Sequence, residues 1–228
     1  MDYDDLLGLF KKRRSIRKFK PDPVPDEYVD KIIEAARWAP SGANSQPWQF
    51  IVIKKDELRK RISAIIEENA DTTAKIELTR DEDIRFNFRP LGFGNAPVFI
   101  IQLGDPRLEE CYPFDVTLTH GDKTLESSQA SAFLYMMLAA TSLGLAAQWV
   151  TASSAAYPQA VIKKLLGVPR GLEIYDMMAL GYPDMTPPPR LVRSKKDIVH
   201  YDGYDRSKYA TDQQIREYII KIRQGIPI

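Results

Sequence analysis

Cysteine is nearly missing. Cys111 is the only one in 228 residues, which excludes an internal disulfide and any thiolate-rich metal site. Histidine is almost as scarce, at His120 and His200, so no metal centre is expected. No apolar run reaches the roughly 18 residues that a membrane-spanning helix needs. An excess of one charge is lacking too: 32 Lys and Arg face 31 Asp and Glu, which argues against general binding to nucleic acid or to a membrane surface. Met1-Asp2-Tyr3-Asp4-Asp5 is acidic and does not have the basic-then-apolar layout of a secretory signal, so a cytoplasmic, reducing setting is expected. There is no internal repeat and no low-complexity tract. What is present is 44% hydrophobic content, enough for one sizeable core. No obvious linker divides the chain, and a single domain over 1–228 is expected.

One stretch organises the rest: Ala39-Pro40-Ser41-Gly42-Ala43-Asn44-Ser45-Gln46-Pro47-Trp48-Gln49-Phe50. Pro40 turns Ala39 away from helical angles and ends the helix that the Val29, Ile32, Ile33, Ala36 spacing predicts. Gly42 gives the main chain freedom and room for a ligand. Ser41, Asn44, Ser45 and Gln46 crowd donors and acceptors into a short span, which suits a planar heterocycle. The plainer alternative is a polar loop between a helix and a strand.

A second cluster precedes it. Arg13-Arg14-Ser15-Ile16-Arg17-Lys18-Phe19 sets three guanidinium groups around a hydroxyl, and such groups grip phosphate or carboxylate through paired N–H donors. Ile16 and Phe19 suggest a segment pinned to the core with its charges aimed; a solvated basic turn is the alternative. Four apolar runs read as strands: Phe50 to Ile53, taken as central, Val98 to Leu103, Leu145 to Val150, and Leu172 to Tyr182. Helical stretches alternate with them, which points to an α+β or α/β layered domain.

Residues 67–97 and 104–122 show no periodicity and are expected to be lid or substrate segments, with Arg85, Phe86 and Tyr112 as candidate lid residues. Gly92-Phe93-Gly94 lacks a third glycine and precedes its strand, so it is not a dinucleotide fingerprint. His120 is either a proton donor or an exposed loop histidine. Leu125 to Leu143 is apolar nearly all round, so it is covered either by a partner subunit or by its own chain. Thr151 to Ser154 is a hydroxyl-rich turn. Gly167 ends a helix. Thr211 and Gln214 form a capping box for a last helix that needs a surface to dock on.

The two clusters together resemble the opening motifs of the nitroreductase family of flavin enzymes, in order and in separation. The likeness continues through Gly144-Leu145, Gly167-Val168-Pro169, Gly181-Tyr182-Pro183 and the basic tail. It implies an α+β sandwich with a central, mostly antiparallel sheet flanked by helices, in an intertwined homodimer whose C-terminal arm is 184–228. One FMN would lie at each end of the subunit interface. By that resemblance Arg13, Arg14 and Ser15 hold the phosphate and ribityl, and Arg17 reaches toward the flavin. Pro40, Ser41, Gly42, Asn44 and Gln46 line the ring from the other subunit, and Arg193 helps grip phosphate. Ser153 or Ser154 is the donor near flavin N5. The implied activity is reduction of the flavin by NADH or NADPH, followed by reduction of a small electrophile such as a nitroaromatic, a quinone or an enone. The family also holds halotyrosine deiodinases, whose lid pair Glu-x-x-x-Tyr is not found in 67–97, and an enzyme that fragments FMN. A non-catalytic FMN-binding or sensing protein is the alternative from another class.

Overall fold

Four antiparallel strands form the central sheet: β1 (Trp48–Ile53), β2 (Val98–Gly104), β3 (Ala146–Val150) and β4 (Glu173–Gly181), in the order β1-β2-β4-β3. The computed structural model describes residues 2–86, 91–190 and 192–224. All seven residues of β2 are buried, because its two faces meet two different layers. Val98 and Ile100 point to one side and pack with Ile32 of α2 (Asp26–Arg37) and with Phe133 and Met136 of α4 (Phe114–Ser142). Phe99 and Ile101 point to the other and pack with Ile62 and Ile66 of α3 (Asp56–Glu77) and Ile162 of α5 (Ala156–Leu166). A period of two on a strand covered on both faces explains the unbroken apolar run. The architecture is α+β with an antiparallel sheet, as expected. The strand at Phe50 to Ile53 is not central, however. β1 lies at the sheet edge, with Gln49 and Val52 exposed; its apolar residues misled because an edge strand needs covering on only part of its length.

Two segments read as irregular are helical in part. α3 runs on to Glu77, polar on its exposed side and hence without a clear stripe. α4 begins at Phe114, not at Leu125, and kinks at His120, whose φ of −162° and ψ of 30° are non-helical. His120 is exposed, with its Nδ1 2.7 Å from the Thr119 hydroxyl. Gly167 takes φ 67° at the end of α5, as a helix-closing glycine does.

The chain divides into two compact units, Met1–Ala70 with Leu91–Pro187, and Asp71–Pro90 with Pro188–Ile228. The first holds the sheet, together with α1 (Tyr3–Lys12). The second carries α6 (Lys195–Ile198) and α7 (Asp212–Gln224). Its capping box is present: Thr211 N–H donates to Gln214 Oε1 at 2.8 Å and Gln214 N–H to Thr211 Oγ1 at 3.3 Å. α7 does find a seat on its own chain, since Arg216 reaches Asp81 at 3.3 Å and Asp83 at 3.5 Å. That seat leaves the apolar side of α7 open, with Ile215, Ile219 and Ile222 exposed. Asn87 to Pro90, inside the segment read as a lid, lie outside the described residues.

Candidate functional site

The arginine segment is stitched to the outer edge of β3. Ser15 pairs in parallel with Ala147, and Ile16 N–H donates to Ala147 O at 3.2 Å. Further along, Lys20 N–H donates to Tyr182 O and Asp184 N–H to Lys18 O, each at 2.9 Å. Ile16 and Phe19 are 5% and 3% exposed, so the apolar residues between the charges pin the segment as their spacing suggests. Gly92 packs on the carbonyl of Arg17 so closely that a Cβ would lie 2.3 Å from it, and its φ is 73°; only glycine fits there. Among the described residues neither Arg14 nor Arg17 pairs with a carboxylate. Arg14 lines a recess of about 220 Å³ with Lys12, Thr141, Gly144 and Pro183. Arg14 and Arg17 are thus uncompensated among the described residues, whereas the neighbouring Lys18 pairs with Asp184 at 2.8 Å.

The other end of β3 leads into the hydroxyl turn Thr151–Ser154. Ser153 is fully buried and its hydroxyl donates to Val150 O at 2.8 Å. The Ser154 hydroxyl donates to Thr151 O at 2.8 Å and approaches Asp176 Oδ1 at 3.2 Å. This turn opens on a cavity of about 600 Å³ lined also by Gln129, Gln159, Tyr175 and Asp176.

The Pro40–Pro47 loop is strained. Ala43, Asn44 and Gln46 have φ of 49°, 55° and 46°, a region that costs non-glycine residues about 1–2 kcal/mol each. Gly42 is not among them. It is glycine for want of space: a Cβ would lie 2.4 Å from Thr124 Cγ2 and 3.0 Å from Tyr112 Cε1. The close neighbour is therefore α4, where a ligand was expected. Side chains hold this backbone in place. Gly42 N–H donates to Ser128 Oγ at 3.0 Å, Gln46 N–H to Ser41 Oγ at 3.0 Å, and Gln129 Nε2 to Pro47 O at 2.8 Å. Asn44 and Gln46 are exposed, with their side-chain amides 3.3 Å apart.

Tyr112, read as a lid residue, is 6% exposed. Its ring lies under Gly42 and its hydroxyl is 3.5 Å from Ser45 Oγ, so it supports the loop and does not stand at an open rim. Arg85 and Phe86 belong to the second unit. Arg85 donates to the carbonyls of Leu78 and Arg80 at 3.0 and 3.1 Å, closing its own turn, and Arg223 lies over the Phe86 ring at 4.7 Å. Arg193 is also in the second unit, with its guanidinium 5.8 Å from the centre of the Tyr218 ring.

Within the first unit the two motifs stand apart. Arg14 shares its recess with Thr141, while the loop rests on Ser128. These two positions of α4 are roughly 20 Å apart at about 1.5 Å of rise per residue. One copy therefore does not bring arginine segment and loop together.

Sequence reasoning missed Ser128, Gln129 and Thr124 as supports of the loop, since each looks like an ordinary helix residue. It also passed over Asp176. The signal there was available: an acid inside the run Ile174 to Leu180, where a buried charge is rare without a partner.

Residues 10–182 match the nitroreductase family. Among its relatives, a protein of Methanothermobacter thermautotrophicus that carries the provisional name NADH dehydrogenase/NAD(P)H nitroreductase is 31% identical, over 80% of this chain and 80% of its own. The iodotyrosine deiodinase of Thermotoga neapolitana is 27% identical over 87% and 98%. A solved FMN-dependent nitroreductase from Clostridium difficile superposes with a TM-score of 0.63 at 25% identity, covering 87% and 99%. Fold, motif order and match over most of the length agree: this chain belongs to the nitroreductase family.

Proposed function

We propose that the chain is an FMN-dependent oxidoreductase that takes electrons from NADH or NADPH and delivers them to a small electrophile such as a nitroaromatic or a quinone, working as a homodimer. The observation that carries this reading is the pair of unpartnered guanidinium groups, Arg14 and Arg17, on a segment locked to β3. A phosphate stripped of water needs several fixed donors, and this donor set fits one. Arg13, Arg14 and Ser15 would bind the phosphate and ribityl, and Arg17 would place a positive charge toward the ring edge that becomes negative on reduction. FMN, when bound, supplies the hydride and electron chemistry. The chain would supply position: the Thr151–Ser154 turn would hold N5 through an N–H of Ser153 or Ser154, whose hydroxyls donate within the turn.

The separation of arginine segment and loop supports the dimer. Pro40, Ser41, Gly42, Asn44 and Gln46 would complete the site of a second copy. The open apolar residues Leu134 and Tyr135 on α4, and the isoleucines of α7, would meet that copy, and Arg193 would join the phosphate site. A single domain over 1–228, with 184–228 as an arm reaching the partner, goes with this reading. The test is anaerobic mixing of the FMN-loaded protein with NADH and with NADPH. Rapid bleaching of the flavin, followed by return of colour on adding a nitroaromatic or quinone, is the expected result. Lasting colour with both nucleotides would instead make the chain a flavin-binding or sensing protein.

Reductive dehalogenation is the second reading, favoured by the relative from Thermotoga neapolitana. Against it, residues 67–97 lack the Glu-x-x-x-Tyr pair. Iodide release from iodotyrosine by the reduced protein, at a rate above that with quinones, would reverse the order of the two readings.

A further inference from the structure

Within β4, the stretch Ile174 to Leu180 carries one acid, Asp176, among apolar and aromatic residues. Asp176 is 6% exposed. Its Oδ2 accepts the indole N–H of Trp149 and its Oδ1 faces the Ser154 hydroxyl at 3.2 Å. Trp149 lies just before the Thr151–Ser154 turn and Ser154 is its last residue. Two hydrogen bonds to one carboxyl therefore clamp the turn from both ends. Trp149 is fixed a second time by stacking on Phe133 of α4, with ring centres 4.2 Å apart.

We propose that Asp176 is a positioning residue for the flavin: its carboxylate holds the Thr151–Ser154 turn, and protonation loosens the hold and changes the hydrogen bonding offered to N5. This rests on the reading that the turn faces flavin N5. The geometry makes the acid suited to the task. An ionised carboxylate accepts from both partners at once, whereas a protonated one turns one oxygen into a donor. Ser154 keeps a local acceptor in Thr151 O at 2.8 Å, so the turn survives without Asp176 while its tie to β4 does not. The groups around Asp176 leave its charge uncompensated. Glu109, Asp122, Glu126 and Glu173 line the same cavity, and among the described residues no Lys, Arg or His does. Tyr175 beside it is pushed up to about 12 by burial and by the negative charges of Asp176 and Glu126. Burial pushes the Asp176 carboxyl up to about 6, against the opposing pull of the Trp149 and Ser154 hydrogen bonds, so the hold changes within an accessible pH range.

Two measurements test this. In protein labelled with ¹⁵N-tryptophan and free of flavin, the Trp149 indole N–H resonance, assigned through Trp149→Phe, should titrate with a midpoint near pH 6 and stay flat in Asp176→Asn. In the FMN-loaded protein, the plot of flavin midpoint potential against pH should bend near pH 6 in the wild type and lose that bend in Asp176→Asn, with FMN content unchanged. Ser154→Ala serves if Asp176→Asn folds poorly; it keeps the indole titration and shrinks the bend. A flat indole signal in the wild type overturns the clamp itself. An indole that titrates while wild type and variant give superimposable potential curves overturns the link to the flavin. A chain that takes up no FMN sinks both the link and the function proposed above, yet the indole titration would still report the clamp, so the failures are separable.

Discussion

The arginine segment and the Pro40–Pro47 loop differ in what chiefly holds them. Residues 13–20 use main-chain hydrogen bonds to Ala147 and Tyr182, which leave the Arg14 and Arg17 guanidinium groups without a carboxylate partner among the described residues. The loop makes most of its long-range ties through side chains of others, Ser128 and Gln129, with one main-chain tie from Asp105 N–H to Pro47 O at 3.0 Å, under a backbone bent into the left-handed region three times. The turn after β3 follows the loop's pattern, with Asp176 as the side chain in charge. A segment fixed by its own backbone can spend all its functional groups on a ligand. A segment fixed by neighbours' side chains holds a shape that one distant substitution can undo.

That contrast is breakable in several places. The largest effect is expected at Asp176. Its carboxyl rises from 3.8 to about 6 in the folded protein, so its contribution to stability is full below the unfolded value and is lost as pH rises through about 6. The roughly two-unit rise corresponds to about 3 kcal/mol. Denaturant titrations should show the stability difference between wild type and Asp176→Asn falling by that order from pH 4 to pH 8; a constant difference would refute the linkage. Gly42→Ala comes next. Forcing a methyl against Thr124 should cost about 1–3 kcal/mol, read as a lowered Tm, and Thr124→Ala in the same chain should recover most of it. Additive losses in the pair would mean the contact is not the cause.

Arg14→Ala sits on the other side of the contrast. It should weaken FMN binding on the order of 10- to 100-fold, since a hydrogen bond to a charged group contributes about 1.5–3 kcal/mol, while leaving the Tm of the flavin-free protein unchanged. A Tm drop with intact FMN affinity would reverse the roles assigned to the two regions. Ser128→Ala removes the acceptor of Gly42 N–H and should lower stability by about 1 kcal/mol. Smallest of all, Ala43→Gly should raise the Tm slightly or leave it, as relief of φ 49° works against the greater freedom of the unfolded chain.

Much of this was legible in the residues. The apolar period of β2 and β4, the stop at Gly167 and the box at Thr211 and Gln214 follow from local rules that tertiary contacts did not disturb. Ile16 and Phe19 announced a pinned segment because apolar residues among arginines have few other uses. The loop was found for a partly wrong reason: its composition flagged it, but the left-handed residues are Ala43, Asn44 and Gln46, and Gly42 answers to Thr124 across the fold. No local pattern reports a neighbour that distant in sequence. α3 beyond Glu67 and the start of α4 escaped for a different reason. Neither stretch shows a sustained apolar stripe facing the core: the tail of α3 is mostly polar, and Phe114 and Leu118 at the start of α4 are exposed, so helix and loop look alike in one dimension. The edge position of β1 is a property of the sheet order, which strand composition does not encode.

The bends at Ala43, Asn44 and Gln46 have a further consequence. They are held by hydrogen bonds from the chain's own groups, Gly42 N–H to Ser128 and Gln46 N–H to Ser41, so the free energy needed to shape the loop is charged to folding. In the site proposed above, a flavin meeting the loop would find its main chain already shaped, and less ordering would remain to be done on docking. Relaxing those bends would yield a sturdier protein whose grip is poorer, with the loss appearing mainly as faster release.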